Sequence, residues 1–350
     1  MEEEAIVSSI ETSVRPLRAE DRQAWSDFVD QHAGASFFHD IKWHDIVAGS
    51  GNRPHFLIAT AGDIVRGVLP LARVRSRLFG DALISLPFCT HAAALGADDE
   101  TALKLDNGAI DLAARLGVDY LEMRRLNGAR TDMQTKDLYY NFFKSLSEDD
   151  DENLKAIPRK QRAMVRKGIA AGLRTEIDQD VTRFFPIYAR SVRNLGTPVL
   201  ARSHFQRLVE SFGDRCEVAI VLREDEPVSA VLSFYHRGCV MPYYGGGTPA
   251  ARECKAFDFM YWDLMCRAVK RGCREFDYGR SKKGTGAFSF KKNWGFEPRP
   301  LPYQYHMPGG GALPDVSPSN PRYALFIRLW KQLPLPIANR VGPLLARKLS

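Results

Sequence analysis

Apolar and polar positions along this chain alternate with two periods, and the changes between them mark out the elements. Residues 21–31 and 42–47 space their apolar side chains as short helices do. The runs PHFLIAT (54–60) and IVRGVLPLARV (64–74) are rich in strand formers, and Ala61, Gly62 and Asp63 between them predict a hairpin turn. ALISLPF (82–88) supplies a further strand. Residues 101–116 read as a helix ended by Gly117, which reaches a left-handed cap without a Cβ clash, and VDYLEM follows as a strand. The second half repeats this order. CEVAIVL (216–222), a turn at 224–226, PVSAVLSFYH (227–236), a turn at Arg237 and Gly238, and CVMPYYGGG (239–247) precede a helix over 256–271 stopped by Gly272. CREFDYG then closes the pattern, so GVDYLEM and GCREFDY each begin on a helix-stop glycine.

The expectation is a duplicated α/β (α+β) unit with mixed sheets, its halves meeting in the acidic run SEDDDEN near residues 147–153. The divisions that follow are 1–150, 151–306 and 307–350. A chain of 350 residues is long for one core and ample for two. After His306 the composition turns to Pro and Gly (MPGGGALPDVSPSNP), which reads as a linker, and the packed part of the chain is expected to end there. Beyond it, Phe326, Leu329, Trp330 and Leu333, then Ile337, Val341, Leu344 and Leu345, recur at helical spacing on either side of Pro334 and Pro336. This tail is cationic (Arg322, Arg328, Lys331, Arg340, Arg347, Lys348) and has no acid after Asp315, a composition attracted to anionic lipid. Peripheral membrane contact through residues 322–350 is therefore one expectation, and docking of the same stripe on the protein's own surface is the other.

Composition narrows the rest. The N-terminal MEEEAIVSSIETSVR is acidic and lacks a basic stretch before an apolar one, and no apolar run reaches bilayer length, so a cytoplasmic protein is expected. The six cysteines are scattered without metal-site spacing and read as buried thiols, and no metal is expected. The formal net charge of +7 favours anionic partners.

Candidate chemistry gathers between Tyr243 and Trp294. FDYGRSKKGTGAFSFKKNWGF (276–296) runs from a strand through a Gly-rich basic loop into a short helix, a plausible cradle for an anion. Gly279 and Gly284 have the spacing of a nucleotide-hydrolysing P-loop, but Thr285-Gly286 stands where Lys-Ser/Thr is required. Simpler roles exist for each residue: Tyr243 and Tyr244 can pack a strand end before Gly245, Asp277 can pair with a cation, and His91, His204 and His236 read as structural. The cluster Arg159, Lys160, Arg162, Arg166 and Lys167 fits an exposed helix face.

The same closing stretch resembles the C-terminal signature of the Fem-type (FemAB-like) aminoacyltransferases and the related BioF2-like acetyltransferase domains, in which a strand ending D-[FY]-G-R leads through a Gly-rich loop to F-K-x-x-[WF]-G. IVRGVLPLARVRSRLFGDALISLPF is similar to the first domain of Fem-like proteins associated with exosortase and PEP-CTERM sorting in exopolysaccharide loci. The resemblance implies tandem GNAT-like domains that transfer an acyl or aminoacyl group to an amine of a cell-envelope or exopolysaccharide precursor. It implies Phe290 and Lys291 as the catalytic pair, the lysine facing a developing oxyanion or a donor phosphate, with Tyr243, Tyr244, Asp277, Arg280, Lys283 and Lys292 binding substrate. No bound cofactor is implied; the donor is aminoacyl-tRNA or acyl-CoA. The Q/R-x-x-G-x-G/A loop by which ordinary GNAT enzymes grip CoA is not matched at Ser281 to Gly286, which counts against acetyl-CoA. Two alternatives stay open: a CoA-dependent GNAT N-acyltransferase, and a non-catalytic binding protein of an envelope or exopolysaccharide assembly system.

Overall fold

A computed structural model describes residues 11–76, 80–311, 313 and 321–348. The acidic N-terminal stretch 1–10, most of the Pro/Gly linker (residues 312 and 314–320) and the Arg322 side chain lie outside the described residues. The chain divides into two compact units. The first runs through Asp137 and regains the chain at Leu301; the second holds Leu138–Pro300 and the tail through Ala346.

In the first unit, β1 (Ser13–Pro16) leads to helices α1 (Arg22–Gln31) and α2 (Lys42–Gly49), then to β2 (Arg53–Pro54), β3 (Leu57–Ala61), β4 (Ile64–Leu69), β5 (Ala72–Ser76) and β6 (Gly80–Ile84). After β7 (Leu95–Gly96), helix α3 (Asp99–Leu116) crosses to β8 (Tyr120–Arg124), which lies parallel to β6 in the register Ala82 to Tyr120. Asp98 caps α3 by accepting the Thr101 N–H, and Gly117 ends it at φ 61°. The inner face of α3 (Leu105, Ala109, Leu112, Ala113) packs on Leu57, Leu69, Leu83 and Leu121.

The second unit follows the same order. The last part of β9 (Gln134–Ser145) is followed by α4 (Asp150–Ala156) and α5 (Arg159–Ala170), and then by β10 (Arg174–Asp178) and helices α6 (Phe184–Leu195) and α7 (Arg202–Phe212). Strands β11 (Cys216–Arg223), β12 (Glu226–His236) and β13 (Cys239–Gly247) form an antiparallel meander. After α8 (Pro249–Glu253), helix α9 (Ala256–Lys270) crosses to β14 (Glu275–Asp277), which is parallel to β13. The sheet order is β10-β11-β12-β13-β14-β9, with β15 (Ser281–Lys282) also on β9. Helix α10 (Gly286–Asn293) leads to β16 (Glu297–His306), whose residues from Leu301 belong to the first unit and pair there with β8 from Tyr303 onward. Two mixed α/β units of one order, each with a parallel pair bridged by a glycine-terminated helix, are what the repeated pattern predicts.

Three expectations need correction. The run 64–74 is two strands, because Pro70 has no N–H for a ladder: β4 pairs with β3 and β7, whereas β5 pairs with β6 and β2. The units divide after Asp137 and not in the acidic run. The polar start of β9 hides a strand that continues to Ser145, and the acidic run instead begins α4, where Asp149 accepts the Asp151 N–H at 2.7 Å. Nor does the packed chain end at His306: the tail forms α11 (Pro321–Gln332) and α12 (Leu335–Ala346), which pack on α6 in the second unit.

The glycines closing β13 are explained by packing. A Cβ on Gly246 would lie 2.8 Å from the Ser191 Cβ and 3.0 Å from the Tyr188 Cα of α6, and one on Gly247 would lie 2.6 Å from the Phe257 ring of α9. Helices on both faces thus approach the strand more closely than any side chain permits. Gly246→Ala is expected to destabilise the protein by roughly 1–3 kcal/mol, the usual cost of overpacking. A thermal melt indistinguishable from wild type would show that α6 can move away at no cost.

Candidate active site

Strand β14 ends on Asp277, whose carboxyl group is buried. A carboxylate removed from water must find donors within the protein. Asp277 Oδ1 accepts the Asn141 side-chain amide at 2.8 Å and the Gly279 N–H at 2.8 Å. Gly279 can turn its amide back because it sits at φ 71°, in the left-handed region open to glycine. The chain then pairs Ser281 and Lys282 with Tyr140 and Tyr139 of β9, turns at Gly284 (φ 79°) and enters α10, which Thr285 caps by accepting the Phe288 N–H at 3.3 Å.

Helix α10 brings Lys291 back over this turn. Its ammonium donates to the Gly279 carbonyl at 2.9 Å and the Arg280 carbonyl at 3.1 Å, between the rings of Phe142 and Tyr278. Burial pushes the Lys291 pKa down to about 7; Asp277 opposes that fall and Arg280 adds to it. Burial likewise raises Asp277 to about 6, against the Gly279 and Asn141 hydrogen bonds and the Lys291 charge. Both groups therefore titrate near neutrality. An ammonium has three N–H groups, so one remains for a ligand beyond those given to the two carbonyls.

The other candidates separate into groups. Phe290 packs among Tyr261, Tyr278 and Trp294 at centroid distances of 6.1, 6.3 and 6.2 Å, fixing the helix that carries Lys291. Trp294 is fully buried and donates to Asp258 at 3.1 Å, which anchors the end of α10. Arg280 lies over the Tyr139 ring at 4.7 Å and Lys283 over Tyr140 at 5.8 Å, lining the turn with positive charge, and Lys292 is exposed. Tyr244 instead packs against Phe205 and Tyr188 of the two helices after β10, at 5.1 and 5.7 Å, while Tyr243 contacts Phe234 at 5.3 Å. Tyr243 falls where the β12–β13 register shifts, a bulge that bends the strand end. Strands β13 and β14 pair only through Cys239 and Val240, so the rest of β13 departs from β14 on the side where β14 ends at Asp277. A crevice at the carboxyl ends of parallel strands is a common ligand position in α/β folds. Among the described residues no cluster of His, Cys, Asp or Glu could hold a metal ion.

Asn141 was not singled out in sequence, because its strand begins with polar residues and carries no turn signal. Alternation along Tyr140, Asn141, Phe142 does not reveal it either, since the adjacent Asn141 and Phe142 are both fully buried, on opposite faces of the strand.

The first unit treats the equivalent position differently. Counting from the two helix-stop glycines, Glu122 takes the place of Asp277 and Arg124 that of Gly279. Arg124 is fully buried, pairs with Glu122 at 2.6 Å, and donates to the Leu86 and Cys89 carbonyls at 3.2 and 2.8 Å. Its guanidinium fills the space beside the strand end, where the second unit has a bare glycine and a lysine with a remaining donor.

Residues 153–292 match the family model described as an acetyltransferase (GNAT) domain. The whole chain has a tandem GNAT-like fold. It is similar to the crystal structure of FemX (13% identity, TM-score 0.63, covering 90% of this chain and 100% of that one). It is similar also to the C-terminal domain of an Agrobacterium fabrum protein assigned as a lysylphosphatidylglycerol synthetase (14% identity, TM-score 0.57, 83% and 93% covered). A third similar structure is a tandem GNAT protein from the clavulanic acid biosynthesis pathway (12% identity, TM-score 0.55, 86% and 100% covered). No curated protein matches the chain in sequence.

The lowered pKa of Lys291 has a measurable consequence for stability. Between about pH 7 and its ordinary value of 10.5, the unfolded chain holds a proton that the folded protein has released. This group's contribution to unfolding free energy must then rise with pH across that window. In urea titrations over the alkaline range, wild type is expected to gain on Lys291→Met as pH increases. A constant difference between the two proteins would show that Lys291 is not depressed.

Proposed function

We propose that this protein is a Fem-like acyl- or aminoacyltransferase whose transfer site lies at the end of β14. The observation that carries the reading is the buried Asp277 with the half-buried Lys291 held over the Gly279 turn, inside the stretch that matches the acetyltransferase domain. In such a reaction an amine attacks the carbonyl carbon of an acyl ester or thioester. A C–N bond forms and the carbonyl oxygen becomes an oxyanion; its collapse breaks the C–O or C–S bond, and the departing alcohol or thiol leaves with a proton equivalent to the one the amine loses, exchanged through solvent. The remaining Lys291 N–H is suited to that oxyanion or to a donor phosphate, because a fixed positive charge in a water-poor site stabilises developing negative charge. Asp277 would keep the lysine cationic, and Arg280, Lys283 and Lys292 would supply the field for an anionic donor or acceptor.

For the donor, aminoacyl-tRNA and acyl-CoA are the two candidates. The acceptor class we favour is an amine on a cell-envelope or exopolysaccharide precursor; a similar structure assigned as a lysylphosphatidylglycerol synthetase supports the envelope setting of this reading and not the amine. Incubating the protein with labelled charged tRNA or labelled acyl-CoA, with and without extracted envelope precursors, separates these readings. Loss of label from one donor identifies it, whereas loss from neither would favour a non-catalytic binding protein.

Two outcomes are expected of the site. Lys291→Ala should lower turnover by at least about tenfold, as loss of an oxyanion donor commonly does, while the thermal melt keeps its cooperativity; full activity in the variant would remove Lys291 from the chemistry. Activity that needs the cationic lysine should also fall as pH rises through about 7. Asp277→Asn should move that fall to lower pH, because the carboxylate no longer supports the charge. A profile without a descending limb near neutrality would rule out the cation role.

A further inference from the structure

The tail docks with one face and leaves the other apolar face uncovered. On the inward side Trp330 is buried, the last carbonyl-bearing turn of α11 is held by Arg193, which donates to the Lys331 carbonyl at 2.8 Å, and Ala338, Gly342 and Ala346 of α12 are buried. Two glycines make this approach possible. A Cβ on Gly196 would lie 2.5 Å from Ile327, and one on Gly342 would lie 3.0 Å from the Val199 carbonyl. The stripe read from the sequence is therefore divided, since Trp330 points inward with the small residues.

What remains outward is apolar. Leu325 (66% exposed), Phe326, Leu329 (56%), Ile337, Val341 and Leu344 (59%) all face solvent, and Leu195 at the end of α6 is exposed beside them. An uncovered array of large apolar side chains this dense on one small element marks an interaction surface. Its charges are all of one sign. Arg328, Lys331 and Arg340 are exposed around it, and the sequence holds no acid after Asp315. A second copy seated face to face would bring these cations against their own counterparts with no carboxylate to pair them.

We propose that the docked tail is a membrane-facing plate, in which Leu325, Phe326, Leu329, Ile337, Val341 and Leu344 enter the headgroup boundary of an anionic bilayer while Arg328, Lys331 and Arg340 contact lipid phosphates. The inference stands on the tail alone and does not depend on the acyl-transfer reading. It differs from a loosely tethered amphipathic segment. Trp330, Ala338 and Gly342 fix the helices to the second unit, so the plate orients that unit toward the lipid without first having to fold. Among the described residues no helix is long and apolar enough to cross a membrane, and contact of this kind needs none.

The test uses the full chain and its co-sedimentation with vesicles of phosphatidylglycerol in phosphatidylcholine, against vesicles of phosphatidylcholine alone, at low salt. Wild type is expected to partition onto the anionic vesicles at least about tenfold more strongly than onto the neutral ones. The outward variant Leu329→Glu/Ile337→Glu/Leu344→Glu should lose at least about tenfold of that binding with an unchanged thermal melt, because each position is exposed. If that variant folds poorly, Arg328→Gln/Lys331→Gln/Arg340→Gln supplies the same test and should abolish the preference for anionic vesicles. Wild type that stays in the supernatant with anionic vesicles overturns the proposal, as does equal partitioning of wild type and a folded variant. A concentration-dependent dimer abolished by the Glu variant, without vesicle binding, would assign the plate to a second copy of the chain and equally overturn it.

Discussion

A carboxyl group at the end of β14 has been taken out of water, and much of the second unit's local structure answers that one cost. Asp277 needs donors, which come from Asn141 on β9 and from the Gly279 amide turned back at positive φ. It also favours a nearby cation, and α10 is positioned to supply Lys291. The cap at Thr285, the packing of Phe290 and the anchor between Trp294 and Asp258 all fix that helix. Because the lysine is itself desolvated, neither charge is secure, and each is shifted toward neutrality. Strongly perturbed titratable pairs of this kind concentrate where chemistry is done.

Duplication shows how narrow the difference is between such a site and ordinary structure. The first unit keeps an acid at the matching strand end, Glu122, but follows it with Arg124, whose guanidinium has a large hydrogen-bonding capacity and uses it on Glu122 and two carbonyls. Tyr305 donates its hydroxyl to Glu122 at 3.0 Å and Arg124 lies over the Tyr303 ring at 5.4 Å, so the pair is enclosed. Arg124 is pushed further toward the charged state by its acid, whereas Lys291 is pushed toward losing its proton. One unit thus spends its strand end on stability, while the other holds a group able to change charge near neutral pH.

Close helix approach is a second recurring device. Gly246 and Gly247 admit helices to the two faces of β13, and Gly196 and Gly342 seat the tail on the second unit. The same docking that buries Trp330 turns Leu329 and Leu344 outward. A tail that satisfied only its own packing would have little reason to carry large apolar side chains on both sides.

The sequence by itself determined the hairpin, helix and closing strand of each half, because hydrophobic period and the stop glycines Gly117 and Gly272 are local properties, and the structure has the left-handed conformation at both. It also pointed to the basic turn after Asp277 and to Lys291. It did not reveal β9, since a strand that starts Gln134, Thr135, Lys136, Asp137 has a polar beginning, and so it placed the division between the units too late. Nor could it tell that Tyr243 and Tyr244 pack against other rings while Asn141 meets Asp277, 136 residues away. Partnership across such a separation is created by strand register and not by composition. The same holds for the tail: periodicity showed that an apolar stripe exists, but only the neighbours Gly196 and Val199 decided which of its residues are covered. Local patterning fixes what a segment can bury, and tertiary packing decides against what.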